Sequence, residues 1–159
     1  KKGVMFRDVT TLLKDPISLS KAMNLFYDRY SNQSIDIVAG IESRGFILGA
    51  ILANKLNKGF VPLRKPGKLP AATSRAEYQL EYGKDALEIH NDAIIPGQNV
   101  LLVDDLLATA GTSKAAAQLI ETLGGNIIEI AFLIELTELK GREKLKNYNV
   151  FSMLQFEGE

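Results

Sequence analysis

The stretch NVLLVDDLLATAGT, residues 99–112, decides the fold class. Its consecutive apolar residues 100–103 are typical of a short strand buried inside a parallel sheet. Asp104 and Asp105 follow at the carboxyl end of that strand, where open α/β sheets place their ligand sites. Residues 108–112 are small or hydroxyl-bearing and lead into a helical run, so backbone N–H groups and a helix N-terminus can face a phosphate. A phosphorylated sugar would suit both the acidic pair and the phosphate turn, because carboxylates accept hydrogen bonds from sugar hydroxyls while N–H groups donate to the phosphate.

Strands and helices alternate on both sides of this stretch, which predicts a single α/β domain over residues 1–159 with a parallel sheet and helices on both faces. The other expected strands are residues 35–39, 60–63, 127–135 and 150–156, and the expected helices are residues 18–30, 46–56 and 113–123. Ser18 is the expected N-cap of the first helix. Residues 3–16 end in Asp-Pro and are expected to form an ordered surface loop.

A second glycine-bracketed turn, GIESRG at residues 40–45, also joins a strand to a helix, and it contains Arg44. A guanidinium at a helix start can bind an anion, although a surface arginine in an ordinary loop has the same local sequence. A basic cluster, Arg64, Lys65 and Lys68, follows the strand at 60–63. These features together predict a second anion-binding region.

Residues 66–92 are charged and contain two tyrosines. Their alternating pattern predicts an extended two-stranded, flexible flap that protrudes from the domain, with its turn at residues 83–85. A long excursion of this kind is usually a lid or a disordered insertion. We expect His90 to be a surface residue of the flap.

Composition excludes several classes of function. The chain of 159 residues carries 19 basic and 19 acidic residues, so no bulk charge favours nucleic acid or a membrane as a partner. It contains no cysteine and no apolar run long enough to span a membrane, which fits a cytoplasmic protein. Because the chain begins Lys-Lys-Gly without an initiator methionine, we expect an N-terminal segment to be missing.

The residues alone leave several classes open. Neither the G-x-x-x-x-G-K-[ST] loop of NTPases nor the dinucleotide-binding glycine fingerprint is present. A receiver domain also has acidic residues at strand ends, but it does not need a threonine-bearing phosphate turn after them. Asp104 and Asp105 could also be an N-cap and a surface pair, the commoner explanation for an isolated Asp-Asp.

The segment VLLVDDLLATAGT closely resembles the signature of type I phosphoribosyltransferases. The segments GVMFRDVTTLLKDP, VAGIESRGF, FVPLRKPGKLP and YQLEYGKDALEIHNDAI extend the resemblance over nearly the whole chain, and FRD and LEYG are specific to the adenine branch of that family. The resemblance implies a homodimeric purine salvage enzyme that converts adenine and 5-phosphoribosyl 1-pyrophosphate to AMP and pyrophosphate with Mg²⁺. A non-catalytic regulator that senses phosphoribosyl pyrophosphate is the alternative.

The resemblance also implies a role for individual residues. Asp104 and Asp105 would bind the ribose hydroxyls, while Glu81 and Tyr82 would act from the flap at the reaction centre. The 5-phosphate loop would consist of Ala108, Thr109, Ala110, Gly111 and Thr112. Pyrophosphate would contact Ser43, Arg44, Arg64 and Lys68, and adenine would contact Met5, Phe6, Arg7 and Leu106. Magnesium would be held mainly by substrate oxygens and water, without direct protein ligands.

Ala110 stands where the family commonly has glycine. Its Cβ is tolerable at a negative φ and costly at a positive φ. Pro66 occupies a position that is basic in some relatives, so the pyrophosphate cluster has one cation fewer.

Overall fold

A computed structural model describes residues 9–80 and 83–157. Its strands are β1 (Ile37–Ile41), β2 (Gly59–Leu63), β3 (Thr73–Leu80), β4 (Gly83–His90), β5 (Asn99–Leu107), β6 (Asn126–Leu136) and β7 (Val150–Phe156). Its helices are α1 (Thr10–Lys14), α2 (Pro16–Tyr30), α3 (Arg44–Leu56), α4 (Gly111–Thr122) and α5 (Gly141–Lys144), with a 3₁₀ turn at Thr137–Leu139. No described helix is long and apolar enough to cross a membrane.

Five strands form a parallel sheet in the order β2-β1-β5-β6-β7. The chain runs outward in one direction from β1 and in the other from β5, so the strand order reverses between these two neighbours. The carboxyl ends of β1 and β5 therefore flank the topological switch point, where doubly wound sheets bind ligands. Both turns that the sequence singled out follow these two strands.

Apolar side chains cover both faces of the sheet. On one face α2 and α3 pack against β1 and β5, and on the other α4 and the β3–β4 hairpin pack against the same strands. The first core includes Met23, Phe26, Leu48, Leu52, Val38, Leu101 and Val103. The second includes Tyr78, Leu87, Ile89, Ala116, Ile120, Ala39 and Leu102. The predicted arrangement of helices on both faces is confirmed.

The N-terminal part of the described chain differs from the prediction. A short helix, α1, occupies part of the expected loop, and Asp15 ends it with an extended backbone at φ −88° and ψ 113°. The Asp15 carboxylate then accepts a hydrogen bond of 2.7 Å from the Ser18 N–H, so Asp15 is the N-cap of α2 and Pro16 is its first residue. Ser18 was therefore the wrong cap. Proline disfavours a helical backbone at the residue before it, but it suits the first position of a helix, where an N–H would have no partner within the helix.

The predicted hairpin is present, but its turn is not at 83–85. Leu80 pairs with Gly83, and Tyr78 pairs with Asp85, so all three residues of the predicted turn belong to β4. The hairpin does not stand wholly clear of the domain, since Leu87 is fully buried. His90, expected at the surface, is half-buried, and its Nε2 has no hydrogen-bond partner among the described residues.

A partly buried ion pair links α2 to β6. Arg29 donates two hydrogen bonds of 2.8 Å to Glu129, and the Tyr30 hydroxyl donates a third of 2.6 Å. Burial raises the pKa of Glu129, but the hydrogen bonds from Arg29 and Tyr30 outweigh that effect and hold the pKa below its usual value. The carboxylate is therefore stabilised in its charged form by folding.

Candidate active site

A small cavity lies at the carboxyl end of β5. Its volume is ≈ 70 Å³, about twice the liquid volume of a water molecule (~30 Å³), which suits a small anionic group. Its lining residues are Asp104, Leu106, Ala108, Thr109, Ala110, Gly111, Thr112 and Ser113. The structure thus brings one predicted ribose residue, one predicted base residue and the entire predicted phosphate loop to one cavity.

The N-terminus of α4 opens onto this cavity without a capping side chain. Its N-cap, Ala110, makes no side-chain hydrogen bond, and its first turn contains no acidic residue. The first N–H groups of a helix lack partners within the helix, and they carry the positive end of its dipole. Such an end favours a phosphate.

Ala110 has a left-handed backbone, with φ 63° and ψ 8°. It is 5% exposed, so its methyl group is buried, and its carbonyl accepts a hydrogen bond of 3.0 Å from the Lys114 N–H. The positive φ is the strained case that the sequence left open for an alanine in this loop. Ala110 therefore adopts a left-handed backbone conformation that favours glycine, although it carries a side chain.

The two acids of β5 lie in different surroundings. Asp105 is buried, and its Oδ2 accepts a hydrogen bond of 2.5 Å from the Arg44 Nε. Asp104 is half-buried, and its Oδ1 accepts from the Asp105 N–H at 2.9 Å. Burial and then the neighbouring charge of Asp105 raise the pKa of Asp104 well above its usual value. β5 also continues past both acids to Leu107, so the acids belong to the strand and do not follow it.

Gly45 allows α3 to approach these acids. A Cβ at Gly45 would lie 2.9 Å from the Val103 carbonyl oxygen and 3.0 Å from the Asp104 Oδ1. Distances under 3.0 Å are essentially never seen for real Cβ atoms. The glycine therefore fixes how closely Arg44 and the start of α3 lie against β5.

The second anion-binding region contains an acid that the sequence reasoning missed. Glu42 accepts hydrogen bonds from the Lys65 N–H at 3.0 Å and from the Arg64 Nε at 3.2 Å. Burial raises the pKa of Glu42, but the bonds from Lys65 and Arg64 outweigh it and lower the pKa below its usual value. The sequence feature that could have indicated it is an acidic residue in the turn after one strand and a basic cluster after the next strand. Ser43 is the N-cap of α3 without a side-chain capping bond, and Lys68 is exposed.

Five predicted site residues lie outside the described residues. They are Met5, Phe6, Arg7, Glu81 and Tyr82. In sequence, Glu81 and Tyr82 connect the last residue of β3 to the first residue of β4. Over the ranges 9–80 and 83–157, no group of three or more His, Cys, Asp or Glu side chains is placed to hold a metal ion.

Comparisons with known proteins agree with this geometry. Residues 8–158 match the model of the phosphoribosyl transferase domain. An adenine phosphoribosyltransferase of Desulfosudis oleivorans is 56% identical over 158 residues, which cover 99% of this chain and 91% of that relative. The chain belongs to the adenine phosphoribosyltransferase family. It is therefore an enzyme of the pentosyltransferase class, and the family predicted from the sequence is confirmed.

Solved structures of the family have the same fold. An adenine phosphoribosyltransferase from Thermoanaerobacter pseudethanolicus superposes with a TM-score of 0.95 at 51% identity, covering 98% of this chain and 91% of that one. The Saccharomyces cerevisiae protein, solved with an imino-altritol bisphosphate and adenine, gives 0.88 at 44% identity and covers 96% and 88%. The names of these relatives lend no support to the alternative of a non-catalytic regulator.

Proposed function

We propose that this enzyme transfers the 5-phosphoribosyl group of phosphoribosyl pyrophosphate to adenine and releases AMP and pyrophosphate. The observation that carries the proposal is the single cavity shared by Asp104 and the uncapped phosphate loop at the switch point of the sheet. An anion site beside a carboxylate suits a ligand that is both a phosphate and a polyol.

Different parts of the cavity would bind the phosphate and the ribose of the sugar phosphate. The N–H groups at the start of α4 and the hydroxyls of Thr109 and Thr112 would donate to the 5-phosphate. Asp104 and Asp105 would accept from the ribose hydroxyls. Because Asp105 is paired with Arg44 in the structure, the substrate would exchange this contact for two others, with a hydroxyl on Asp105 and pyrophosphate on Arg44.

The leaving pyrophosphate would lie along the second anion-binding region. Ser43 and Arg44 at the start of α3 would bind it, and Arg64 and Lys68 would add positive charge. Glu42 would hold the Arg64 guanidinium in place, since the two side chains already form an ion pair of 3.2 Å. Stabilising the leaving group lowers the barrier to breaking the bond at the anomeric carbon.

The base would bind between Phe6, which would stack on adenine, and Leu106, which lines the cavity. Backbone groups of Met5 and Arg7 would read the edge of the base and distinguish a 6-amino from a 6-oxo purine. Glu81 and Tyr82 would cover the reaction centre, where the sugar develops positive charge as in glycoside chemistry. Excluding water there protects that reactive species.

Magnesium fits this site as a partner of the substrate. Asp105 is paired with Arg44, and the Asp104 Oδ1 accepts from the Asp105 N–H, so a Mg²⁺ ion would take its oxygens mainly from ribose, pyrophosphate and water, without direct protein ligands. When bound, it would supply charge neutralisation on the leaving pyrophosphate.

We also propose a homodimer that works in the cytoplasm. Ile17, Leu25 and Ile47 on α2 and α3 are exposed at 65%, 57% and 43%, and a neighbouring groove of ≈ 370 Å³ is mostly apolar. An apolar groove with exposed apolar side chains on the same two helices supports an interface there. Sedimentation velocity tests this directly: a dimer is expected, and a monomer at micromolar concentration would contradict it.

The transfer reaction is tested by pyrophosphate release with each purine base. We expect turnover with adenine that requires phosphoribosyl pyrophosphate and Mg²⁺, and little turnover with hypoxanthine or guanine. Binding of phosphoribosyl pyrophosphate without turnover on adenine would favour the regulator instead. Equal turnover on hypoxanthine would contradict the specificity for a 6-amino purine.

A further inference from the structure

Three side chains join the β3–β4 hairpin to the end of β2. The Lys65 Nζ donates to the Tyr78 hydroxyl at 2.6 Å and forms a short ion pair with Asp85. The Tyr78 hydroxyl also donates to Asp85 at 3.1 Å. We call these residues, Lys65, Tyr78 and Asp85, the clasp.

The clasp places charge on the apolar face of the hairpin. Tyr78 and Asp85 are cross-strand partners and so point to the same face, which also carries the buried Leu87 and Ile89. Tyr78 is itself 8% exposed. The Lys65 and Asp85 side chains remain 38% and 30% exposed, and ion pairs with this much exposure contribute little to stability. The clasp therefore contributes geometry more than stability.

The clasp connects the two anion-binding regions. The Lys65 N–H donates to Glu42 in the turn before α3, while the Lys65 side chain holds the hairpin. At Gly111, the first residue of α4 and part of the phosphate cavity, an added Cβ would meet the Tyr78 ring at 3.5 Å. One lysine and one tyrosine thus bring the hairpin, the phosphate loop and the pyrophosphate turn into contact.

The clasp lies close to the end of the hairpin. Tyr78 and Asp85 are two pairs away from the Leu80–Gly83 pair, and Glu81 and Tyr82 connect those two residues in sequence. The clasp therefore lies where it can fix the position of the Leu80–Gly83 pair relative to the phosphate loop.

We propose that Lys65, Tyr78 and Asp85 are positioning residues for the transfer step, which hold the last described pairs of the β3–β4 hairpin in place beside the phosphate loop. This inference rests on the proposed transfer reaction. It assigns Tyr78 and Asp85 no contact with substrate, so the loss of either side chain slows turnover without weakening the binding of phosphoribosyl pyrophosphate.

The test measures kcat and KM of the full-length chain carrying Tyr78→Phe, Lys65→Met or Asp85→Asn. Tyr78→Phe removes only a hydroxyl and keeps the buried ring, so it tests the clasp even if the charge variants fold poorly. We expect kcat to fall about tenfold in each variant, the loss of one hydrogen bond to a charged group. In Tyr78→Phe and Asp85→Asn, KM for phosphoribosyl pyrophosphate should stay within about twofold of the unmodified enzyme. Lys65→Arg should recover part of kcat.

Two matched variants serve as controls. Lys58→Met removes an exposed lysine just before β2, at the opposite end of that strand, and Asp92→Asn removes an exposed aspartate just after β4. Both should retain kcat. The double variant Lys65→Met/Asp85→Asn should lose no more kcat than either single change, because both remove the same ion pair.

The outcomes separate the clasp from the transfer reaction. No turnover of the unmodified enzyme on adenine would refute the proposed function. Normal turnover in that enzyme, with kcat unchanged in Tyr78→Phe and Asp85→Asn, would overturn the clasp alone. A parallel fall in kcat of the control variants, or a loss that appears only in KM, would also overturn it.

Discussion

Replacing Ala110 by glycine tests whether the phosphate loop is strained. At φ 63° an L-residue loses about 1–2 kcal/mol relative to glycine, which the variant would recover. Glycine adds freedom to the unfolded chain and so costs about 0.4–1 kcal/mol. The buried methyl group contributes about 0.8 kcal/mol, which is also lost. These contributions nearly cancel, and we expect the free energy of unfolding to change by less than about 1 kcal/mol.

Ala108→Gly is the matched control in the same loop. Among the described non-glycine residues, positive φ occurs only at Asn57, Ala110 and Lys140, so Ala108 has no such strain to relieve. Its replacement should cost about 1 kcal/mol, which for a chain of this size lowers Tm by roughly 2–4 °C. Urea unfolding with linear extrapolation measures both variants. An Ala110→Gly variant destabilised as much as Ala108→Gly would refute the strain.

Three further predictions concern packing, ligand binding and pH. Gly45→Ala should push α3 away from β5 and displace the anion site, which should lower kcat/KM at least about tenfold. The control Gly59→Ala should leave steady-state kinetics unchanged, because a Cβ there would meet its nearest atoms at 3.7 Å. Thr112→Val should raise KM for phosphoribosyl pyrophosphate about tenfold, because the hydroxyl that donates to the phosphate is lost, while Tm measured by calorimetry should not change. An unchanged KM would show that Thr112 is not part of the phosphate site. Glu129→Gln should lower the free energy of unfolding at neutral pH by about 2 kcal/mol. Folding lowers the pKa of Glu129, so its contribution to the free energy of unfolding is complete above its ordinary pKa of 4.5 and is lost as the pH falls through the lowered pKa. The free energies of unfolding of the unmodified protein and of Glu129→Gln should therefore converge in acid. A constant difference down to pH 2 would contradict this.

Patterns that depend on nearby residues were predictable from the sequence. The strand at 150–156 and the strand before the basic cluster were placed within a residue, because short, mostly apolar runs are typical of strands, here the two edge strands of the sheet. The two ligand turns were predictable because glycines and hydroxyl-bearing residues cluster where a strand passes into a helix, although the two acids proved to lie within β5 itself. Side-chain roles came largely from the family resemblance.

Features that depend on distant contacts were not predictable. Helix α1 is only five residues long and is too short to be stable without its neighbours. Lys65 and Asp85 are 20 positions apart, and they meet only because the hairpin register puts Asp85 opposite Tyr78. The left-handed backbone of Ala110 is also a property of the folded loop. A single sequence contains no local signal for any of these three features.

The cavity is proposed to bind the ribose through Asp104 and Asp105 and the 5-phosphate through the loop at residues 108–112. Calorimetric titration with AMP and 2′,3′-dideoxy-AMP tests this most directly. If Asp104 and Asp105 bind the ribose hydroxyls, the unmodified enzyme should bind AMP roughly 10–100-fold more tightly than the dideoxy nucleotide. In the Asp104→Asn/Asp105→Asn variant that ratio should fall close to one while binding through the phosphate loop remains. An unchanged ratio in the variant would contradict the account.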